Sequence, residues 1–260
     1  MSDKVYNLKE INYGGFVRYK HYNKPISAPL NRGYTGKRGQ AKNPDKSIRQ
    51  SVARAKDKIR GYIMANDWDY WATQTFNAEV IDRYSLDEII RRYGQKLRDL
   101  KRRKYFDLQW LIVPEQHKDG AWHLHMFMSG IPQDKVVYSG YDYYNKKSQF
   151  VRRIYNWLDT IDYGFNDYMY IGDIDALERY KMANYVTKYI TKDLAQVRFN
   201  KRMYWASRGL KSPTVTNTYV YDVNRVISDK LIISDNTYYV KDKETGEIYN
   251  VVRDFMTLDV

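Results

Sequence analysis

The sequence contains no cysteine and only four histidines. Without cysteine the protein can form neither disulfides nor thiolate metal sites, so any bound metal must be held by nitrogen and oxygen ligands. No apolar run is long enough to span a membrane, and the first residues lead into no signal-peptide core. A glycine-rich Walker loop for nucleotide phosphates is also missing. We therefore expect a soluble intracellular protein that has no membrane partner and no ATP-driven motor of its own.

Positive charge is in excess, with 44 Lys and Arg against 31 Asp and Glu, which gives a formal net charge of +13. Such a surplus favours a polyanionic partner, and nucleic acid is a more common one than a membrane surface. Tyrosine is also abundant, with 27 residues against 8 phenylalanines. Most aromatic side chains pack in partly buried positions, whereas exposed ones provide faces on which unpaired bases stack. Both interpretations of the tyrosines remain open.

The composition divides the chain into three regions: a basic irregular N-terminal arm (1–45), a core domain (46–200) and a basic, strand-rich C-terminal extension (201–260). Scattered prolines and glycines interrupt regular structure in the arm. Its cations suit contact with phosphates, although a solvated tail would have the same composition: Lys37, Arg38, Lys42 and Lys46. In the extension, residues 236–252 predict a hairpin that turns at Glu244-Thr245-Gly246.

Hydrophobic periodicity predicts alternating helices and strands in the core domain. The predicted helices are about 46–65, 85–104, 147–158 and 175–194, and the predicted strands are about 67–76, 106–113, 121–128 and 166–173. Ser85 with Glu88 three residues later forms a capping box at the start of the second helix. This order indicates an α+β fold in which helices pack on a central antiparallel sheet.

Two of the four histidines, His123 and His125, lie one residue apart in a predicted strand. Successive side chains of a strand point to opposite faces, so both imidazoles project from the same face. Two imidazoles on one face are a ready pair of metal ligands. The alternative is a pair of partly buried, hydrogen-bonded histidines without a metal.

A third ligand is available from Glu115, which lies near the end of the preceding strand. The short connection between the strands brings this carboxylate beside the histidines. One carboxylate and two imidazoles suit Mg²⁺ or Mn²⁺ when phosphate oxygens of a substrate complete the coordination. Glu115 could instead be a surface acid, and His117, in the connecting loop, is the weaker ligand candidate.

Two overlapping copies of the pattern Tyr-x-x-Lys occupy the last predicted helix of the core domain. They pair Tyr185 with Lys188 and Tyr189 with Lys192. Residues four apart lie on one face of a helix, so the two hydroxyls can approach the same phosphate. A tyrosine that attacks a phosphodiester forms a covalent phosphotyrosine, which preserves the bond energy for later rejoining. The alternative is an amphipathic helix that buries two tyrosines against the sheet.

Three motifs in this order resemble the HUH endonucleases (His-hydrophobe-His), and more narrowly the rolling-circle replication initiators, or Rep proteins, of plasmids and single-stranded DNA phages. The motifs are Thr73-Gln74-Thr75-Phe76, then Glu115 ahead of His123-Leu124-His125, and then Tyr185-Val186-Thr187-Lys188-Tyr189. The resemblance covers about residues 68–194. Conjugative relaxases, another branch of the superfamily, usually place the tyrosine before the histidines, so the order here argues against that branch.

The resemblance implies that residues 46–200 form a HUH nuclease domain with about five antiparallel strands and the histidines on a central one. It implies that His123, His125 and an acid such as Glu115 hold Mg²⁺ or Mn²⁺. It also implies that the Tyr-x-x-Lys helix supplies the nucleophile and the assisting lysine. Two tyrosines at this spacing are similar to the phage scheme, in which they act in turn.

The function implied is a replication initiator that nicks and religates single-stranded origin DNA through a covalent 5′-phosphotyrosine. Its partners would be single-stranded or hairpin origin DNA together with a host helicase and polymerase, in the cytoplasm of a bacterial host cell. Two alternatives remain: a transposase of the same superfamily, and a non-catalytic protein that binds single-stranded nucleic acid.

Overall fold

The computed structural model describes residues 5–27, 43–191, 194–195, 202–241 and 245–258. The strands are β1 (Val5–Asn12), β2 (Phe16–Ser27), β3 (Tyr70–Thr75), β4 (Gln109–Gln116), β5 (Trp122–Ser129), β6 (Val136–Tyr144), β7 (Phe150–Trp157), β8 (Asn166–Tyr170), β9 (Trp205–Ala206), β10 (Thr214–Thr218), β11 (Ile232–Lys241) and β12 (Ile248–Leu258). The α-helices are α1 (Pro44–Ala65), α2 (Leu86–Arg103), α3 (Ala176–Val186) and α4 (Val223–Ile227). None of the helices in these ranges is long and apolar enough to cross a membrane.

Two compact units make up the chain: Asn43–Leu210, and Met1–Lys42 together with Lys211–Val260. The first unit contains a five-stranded sheet in the order β8-β3-β5-β4-β9, and every pairing in it is antiparallel. The strand β5, which carries both histidines, is the central one. The prediction of an α+β fold with a central antiparallel sheet of about five strands is confirmed.

Helices cover both faces of this sheet. Helix α2 begins at Ser85, whose hydroxyl accepts a hydrogen bond from the backbone N–H of Glu88 as predicted. Its Tyr93 packs edge-on against Phe76, on the face opposite the histidines. On the histidine face, α1 and α3 are joined by a hydrogen bond from Arg60 Nε to Asn184 Oδ1, 2.9 Å long. The buried sides of the helices therefore leave one sheet face for α3 and the histidines.

The segment predicted as a helix over about 147–158 is wrong. The structure instead has the antiparallel pair β6–β7, which we call the ribbon (Val136–Trp157). Its turn is fixed by Asn145, whose side-chain oxygen accepts hydrogen bonds from the backbone N–H groups of Lys147 and Gln149. Asparagine favours such turns over helix, and aromatic residues on both arms favour cross-strand pairing.

The tyrosine segment, predicted as one helix over about 175–194, is also different in detail. Helix α3 ends at Val186, and a 3₁₀ turn follows over Thr187–Tyr189. The Thr187 hydroxyl donates to the carbonyl of Asn184, 3.0 Å away, and so satisfies one of the last carbonyls of the helix. The tightened turn means that Tyr185 and Tyr189 do not lie one ideal α-helical turn apart.

The second unit contains a five-stranded sheet in the order β10-β1-β2-β12-β11. The expected irregular arm is therefore wrong for residues 5–27, which form β1 and β2. Strand β2 pairs with β12 from the other end of the chain, and Tyr19 stacks on Phe255 with centroids 5.0 Å apart. The predicted hairpin is confirmed as β11–β12. Lys37, Arg38 and Lys42 lie outside the described residues.

Candidate active site

The two histidines project from the same face of β5, as the strand alternation predicts. Register pairs His123 with Glu115 of β4 on one side and with Thr75 of β3 on the other. His125 is paired with Thr73 in the same way. Directly opposed residues of antiparallel strands share a face. The sheet thus brings both imidazoles, the carboxylate and two threonine hydroxyls onto one surface.

Glu115 contacts the histidine that is diagonal to it in the register. Its Oε2 lies 2.7 Å from Nε2 of His125, and the imidazole is nearly buried. An ionised carboxylate only accepts hydrogen bonds, so His125 donates through Nε2 in this arrangement. A metal at this nitrogen would replace that proton, and the carboxylate is already beside the nitrogen that would bind the metal.

A threonine holds the other ring nitrogen of each histidine. Thr75 Oγ1 lies 2.9 Å from Nδ1 of His123, and Thr73 Oγ1 lies 3.3 Å from Nδ1 of His125. Partners of this kind fix the orientation of an imidazole and direct its second nitrogen toward a metal. Both Nε2 atoms are therefore the nitrogens left for ligation or for hydrogen bonding within the site.

The environment keeps both imidazoles neutral at physiological pH. Burial lowers the pKa of His123, and the neighbouring His117 lowers it further. Burial also lowers the pKa of His125, against the opposite effect of Glu115. Neutral imidazole is the form that binds metals. The sequence missed the cause at His123, because the ring of His117 stacks on it with centroids 3.6 Å apart.

The donor set of two imidazoles and one carboxylate fits Mg²⁺ or Mn²⁺ in its chemistry. In the described part of the chain, however, no group of three or more His, Asp or Glu side chains is arranged so that it could hold a metal ion. The metal-ligand roles of His123, His125 and Glu115 therefore remain predictions. The shared face and the orientation of the rings are what the structure adds to them.

The two tyrosines come together above His125. The ring of Tyr189 lies parallel to the imidazole of His125, with centroids 4.5 Å apart and planes 8° from parallel. Its hydroxyl donates to the hydroxyl of Tyr185 over 2.6 Å. Tyr185 is half exposed, and its ring meets the edge of Trp71. The alternative of two tyrosines simply buried against the sheet therefore does not describe Tyr185.

Burial raises the pKa of the Tyr189 hydroxyl, and the hydrogen bond with Tyr185 and the charge of Glu115 raise it further. This phenol is accordingly protonated at neutral pH. A nucleophilic role would require positive charge next to it, as nearby cations favour the phenolate. Lys188 is close, with Nζ 5.5 Å from the ring centroid of Tyr185. Lys192, the other predicted lysine, lies outside the described residues.

Two cavities flank the tyrosine pair. One, of about 370 Å³, is bounded by Glu115, Trp122, Lys188 and Tyr189, among others. The second, of about 550 Å³, is bounded by Trp71, Met169, Lys181, Tyr185 and Lys188. Lys188 borders both. The hydroxyl pair is thus accessible from two sides, each with a cation and aromatic or apolar walls.

The basic cluster at the end of α2 mainly stabilises the fold. Lys101 donates to the carbonyl of Leu108, and Arg102 forms an ion pair with Asp99, both over 2.8 Å. Lys104 forms an ion pair of the same length with Asp159. These contacts support the structural one of the two roles that the sequence left open for the cluster.

Sequence reasoning missed Thr73, Thr75 and Trp71 as parts of the site. Trp71 stacks on His125, with ring centroids 5.4 Å apart and planes 12° from parallel. A signal was available, because the alternation that buries Tyr70, Ala72 and Gln74 places these three residues on the other face of β3. Their contacts with the histidines depend on the pairing of β3 with β5, which the sequence did not give.

Comparison with known proteins gives one family match. Residues 69–194 match the model of a family of replication-associated proteins, described under the name ORF2. No curated protein and no solved structure gives a significant match. The matched segment, slightly less than half of the chain, begins just before β3 and includes both histidines, Glu115 and both tyrosines. This match indicates a replication-initiator family.

Proposed function

We propose that the protein is a site-specific DNA strand transferase that starts rolling-circle replication. It nicks single-stranded DNA at an origin, remains bound to the new 5′ end through a tyrosine, and later rejoins the ends. The observation that carries the proposal is the contact of Tyr189 with His125, 4.5 Å between ring centroids, on the face that also holds Glu115. The match to a replication-associated family gives this chemistry its biological setting.

Tyr189 is the proposed initiating nucleophile. Its oxygen forms a bond to the scissile phosphorus while the bond from phosphorus to the 3′ oxygen of the preceding nucleotide breaks. The phenol loses its proton and the departing 3′ oxygen gains one, so one phosphodiester is exchanged for another and no external energy source is required. Tyr189 is better placed than Tyr185 because it is the tyrosine that contacts His125.

His123, His125 and Glu115 are the proposed metal ligands. A Mg²⁺ or Mn²⁺ ion bound there would supply positive charge to the scissile phosphate. The threonine contacts hold the two imidazoles in place for this role. Lys188 borders both cavities and is the proposed cation that stabilises charge on the phosphate as it is transferred.

Tyr185 is proposed to act in the second half of the cycle. Its hydroxyl lies 2.6 Å from that of Tyr189, so a phosphate within reach of one is within reach of the other. Once Tyr189 carries the 5′ end, Tyr185 can attack the regenerated junction. Unwinding and synthesis would then come from a host helicase and polymerase.

The test uses single strands that tile the DNA flanking the coding sequence, each labelled at the 3′ end and incubated with Mn²⁺. A 5′-phosphotyrosine link shifts the 3′-labelled product to protein mobility on a denaturing gel, whereas a 5′ label stays on a free fragment. Peptide mapping then identifies the modified residue. Absence of any adduct from the wild-type protein, or an adduct on a variant without both tyrosines, would refute the proposal and favour a non-catalytic binder.

A further inference from the structure

The ribbon β6–β7 exposes many aromatic rings to solvent. Each of the following side chains is between 44% and 68% exposed: Tyr138, Tyr141, Tyr143, Tyr144 and Phe150. Clustered exposed apolar surface on a folded protein marks an interaction site more often than chance placement. Tyrosine abundance alone does not explain the ribbon, because many tyrosines elsewhere are buried, Tyr93 and Tyr168 among them.

Neighbouring rings hold the ribbon aromatics in fixed orientations. Tyr138 meets Tyr155 across the strands and Tyr144 meets Phe150, in both cases edge to face with centroids 6.1 Å apart. Edge-to-face pairs are favourable in themselves and leave ring faces uncovered. Rings that are already oriented lose little conformational entropy when a flat ligand stacks on them.

Cations accompany the aromatic rings. The ribbon contains four, Lys146, Lys147, Arg152 and Arg153, against the single acid Asp142. The guanidinium of Arg152 lies 5.9 Å from the ring centroid of Tyr143, and that of Arg153 lies 5.3 Å from that of Tyr138. The ligand that suits this surface has flat aromatic groups joined by negative charges, which is the chemistry of a single-stranded nucleic acid.

The ribbon is connected to the histidine face through Arg152. Its Nη1 lies 2.8 Å from Asp167 Oδ1, and Nη2 bonds the other carboxylate oxygen. Asp167 of β8 is directly opposite Thr73, whose hydroxyl contacts His125. The base of the ribbon is therefore anchored two strands away from the histidine strand, on the same face of the sheet.

We propose that the ribbon binds the unpaired bases of the DNA strand next to the cleaved phosphate. The exposed rings stack on bases, and the four cations neutralise neighbouring phosphates. This inference rests on the proposed function for the identity of the ligand, and it assigns the single-strand recognition to a specific element. Because stacking involves the ring and not the hydroxyl, phenylalanine substitutes for tyrosine in this role.

The test measures binding of a labelled single strand by fluorescence anisotropy with a chelator present, so that no cleavage occurs. The variant replaces Tyr141, Tyr143 and Tyr144 by alanine, and its matched controls are the triple Tyr→Phe variant and Tyr221→Ala. Tyr221 is even more exposed but lies in the other unit. We expect the triple alanine variant to bind at least roughly tenfold more weakly, and both controls to bind as the wild type does.

A second arm uses an abasic strand of the same length, which retains the phosphates and lacks the bases. The wild-type protein should bind it more weakly, and the triple alanine substitution should then have little further effect. An unchanged affinity of the alanine variant for the normal strand would overturn the inference. An equal loss on both strands would also overturn it, because the effect would then be independent of the bases.

The outcome is separable from that of the proposed function. Adduct formation is measured with metal and depends on Tyr189, whereas ribbon binding is measured without metal and should be unaffected by Tyr189→Phe. A ribbon-dependent affinity without any adduct would leave the inference standing and refute the nuclease. An adduct from a protein whose binding ignores the ribbon would do the reverse.

Discussion

The ring of Tyr189 lies parallel to the imidazole of His125, with centroids 4.5 Å apart. The same imidazole bonds Glu115 through Nε2 and contacts Thr73 through Nδ1. A candidate nucleophile is thus in place beside the candidate metal ligands before any DNA binds. Such preorganisation lowers the entropic cost of reaching a reactive geometry.

The first prediction separates the two tyrosines. Tyr189→Phe should lower the initial rate of adduct formation at least about 1000-fold, because it removes the attacking oxygen and preserves the stacking on His125. Tyr185→Phe should still form the adduct but fail to transfer the strand to a second DNA end. Gel assays of labelled single strands measure both steps.

The double Tyr→Phe variant is the control for reaction at other residues, and it should form no adduct. An adduct that persists in Tyr189→Phe and maps to Tyr185 would reverse the assignment. Phenylalanine is the suitable replacement at both positions, because the ring contacts with Trp71 and His125 remain.

The second prediction concerns the histidines and the metal. His123→Ala and His125→Ala should each abolish cleavage and leave the affinity for single strands within roughly twofold, because the cationic surface is unchanged. Removal of metal by a chelator should have the same effect on the wild-type protein, and addition of Mg²⁺ or Mn²⁺ should reverse it. Cleavage at the wild-type rate by either variant, or in the chelator, would contradict the metal site.

The third prediction tests the threonines as positioning residues. Thr75→Val removes the 2.9 Å contact with His123 Nδ1 and keeps a β-branched side chain suited to the strand. We expect the Mn²⁺ concentration for half-maximal adduct formation to rise by about 10- to 100-fold, with the rate at saturating metal nearly unchanged.

Two variants control for this effect. Thr75→Ser retains the hydroxyl and should restore the metal dependence. Thr73→Val removes a longer contact of 3.3 Å with His125 and should have a smaller effect. If Thr75→Val needed no more metal than the wild-type protein, the threonine would have no positioning role.

The fourth prediction concerns salt. With a net charge of +13, binding of single strands should involve the release of several counterions. Affinity should fall roughly 100-fold or more between about 50 and 200 mM salt, if about five phosphates are contacted. Titrations at several salt concentrations give the slope. A nearly constant affinity over this range would show that charge has little part in binding.

The sequence alone was sufficient for local features with a strong physical signal. Strand alternation placed His123 and His125 on one face, and Ser85 marked the start of α2. The order of the elements predicted the antiparallel α+β core. It was insufficient where long-range pairing overrides local preference, as in residues 5–27, which become regular only by pairing with β10 and β12.

The ribbon shows the same limit from another side. Its residues carry a period that is compatible with a helix, and the decision for strands depends on cross-strand ring pairs and on the anchor between Arg152 and Asp167. Neither can be read from neighbours in the chain. The exposure of its tyrosines, on which the proposed base binding depends, was equally undetermined.

The residue types of the site and their order were set by the sequence, since chemistry belongs to side chains. Their distances were decided by the tertiary structure. Register brought Glu115 and the threonines to the histidines, and the 3₁₀ turn after α3 brought the Tyr189 ring onto His125. Pairing of strands and the way one helix ends are settled by packing over the whole unit, because local propensities of a few tenths of a kcal/mol are too weak to fix them.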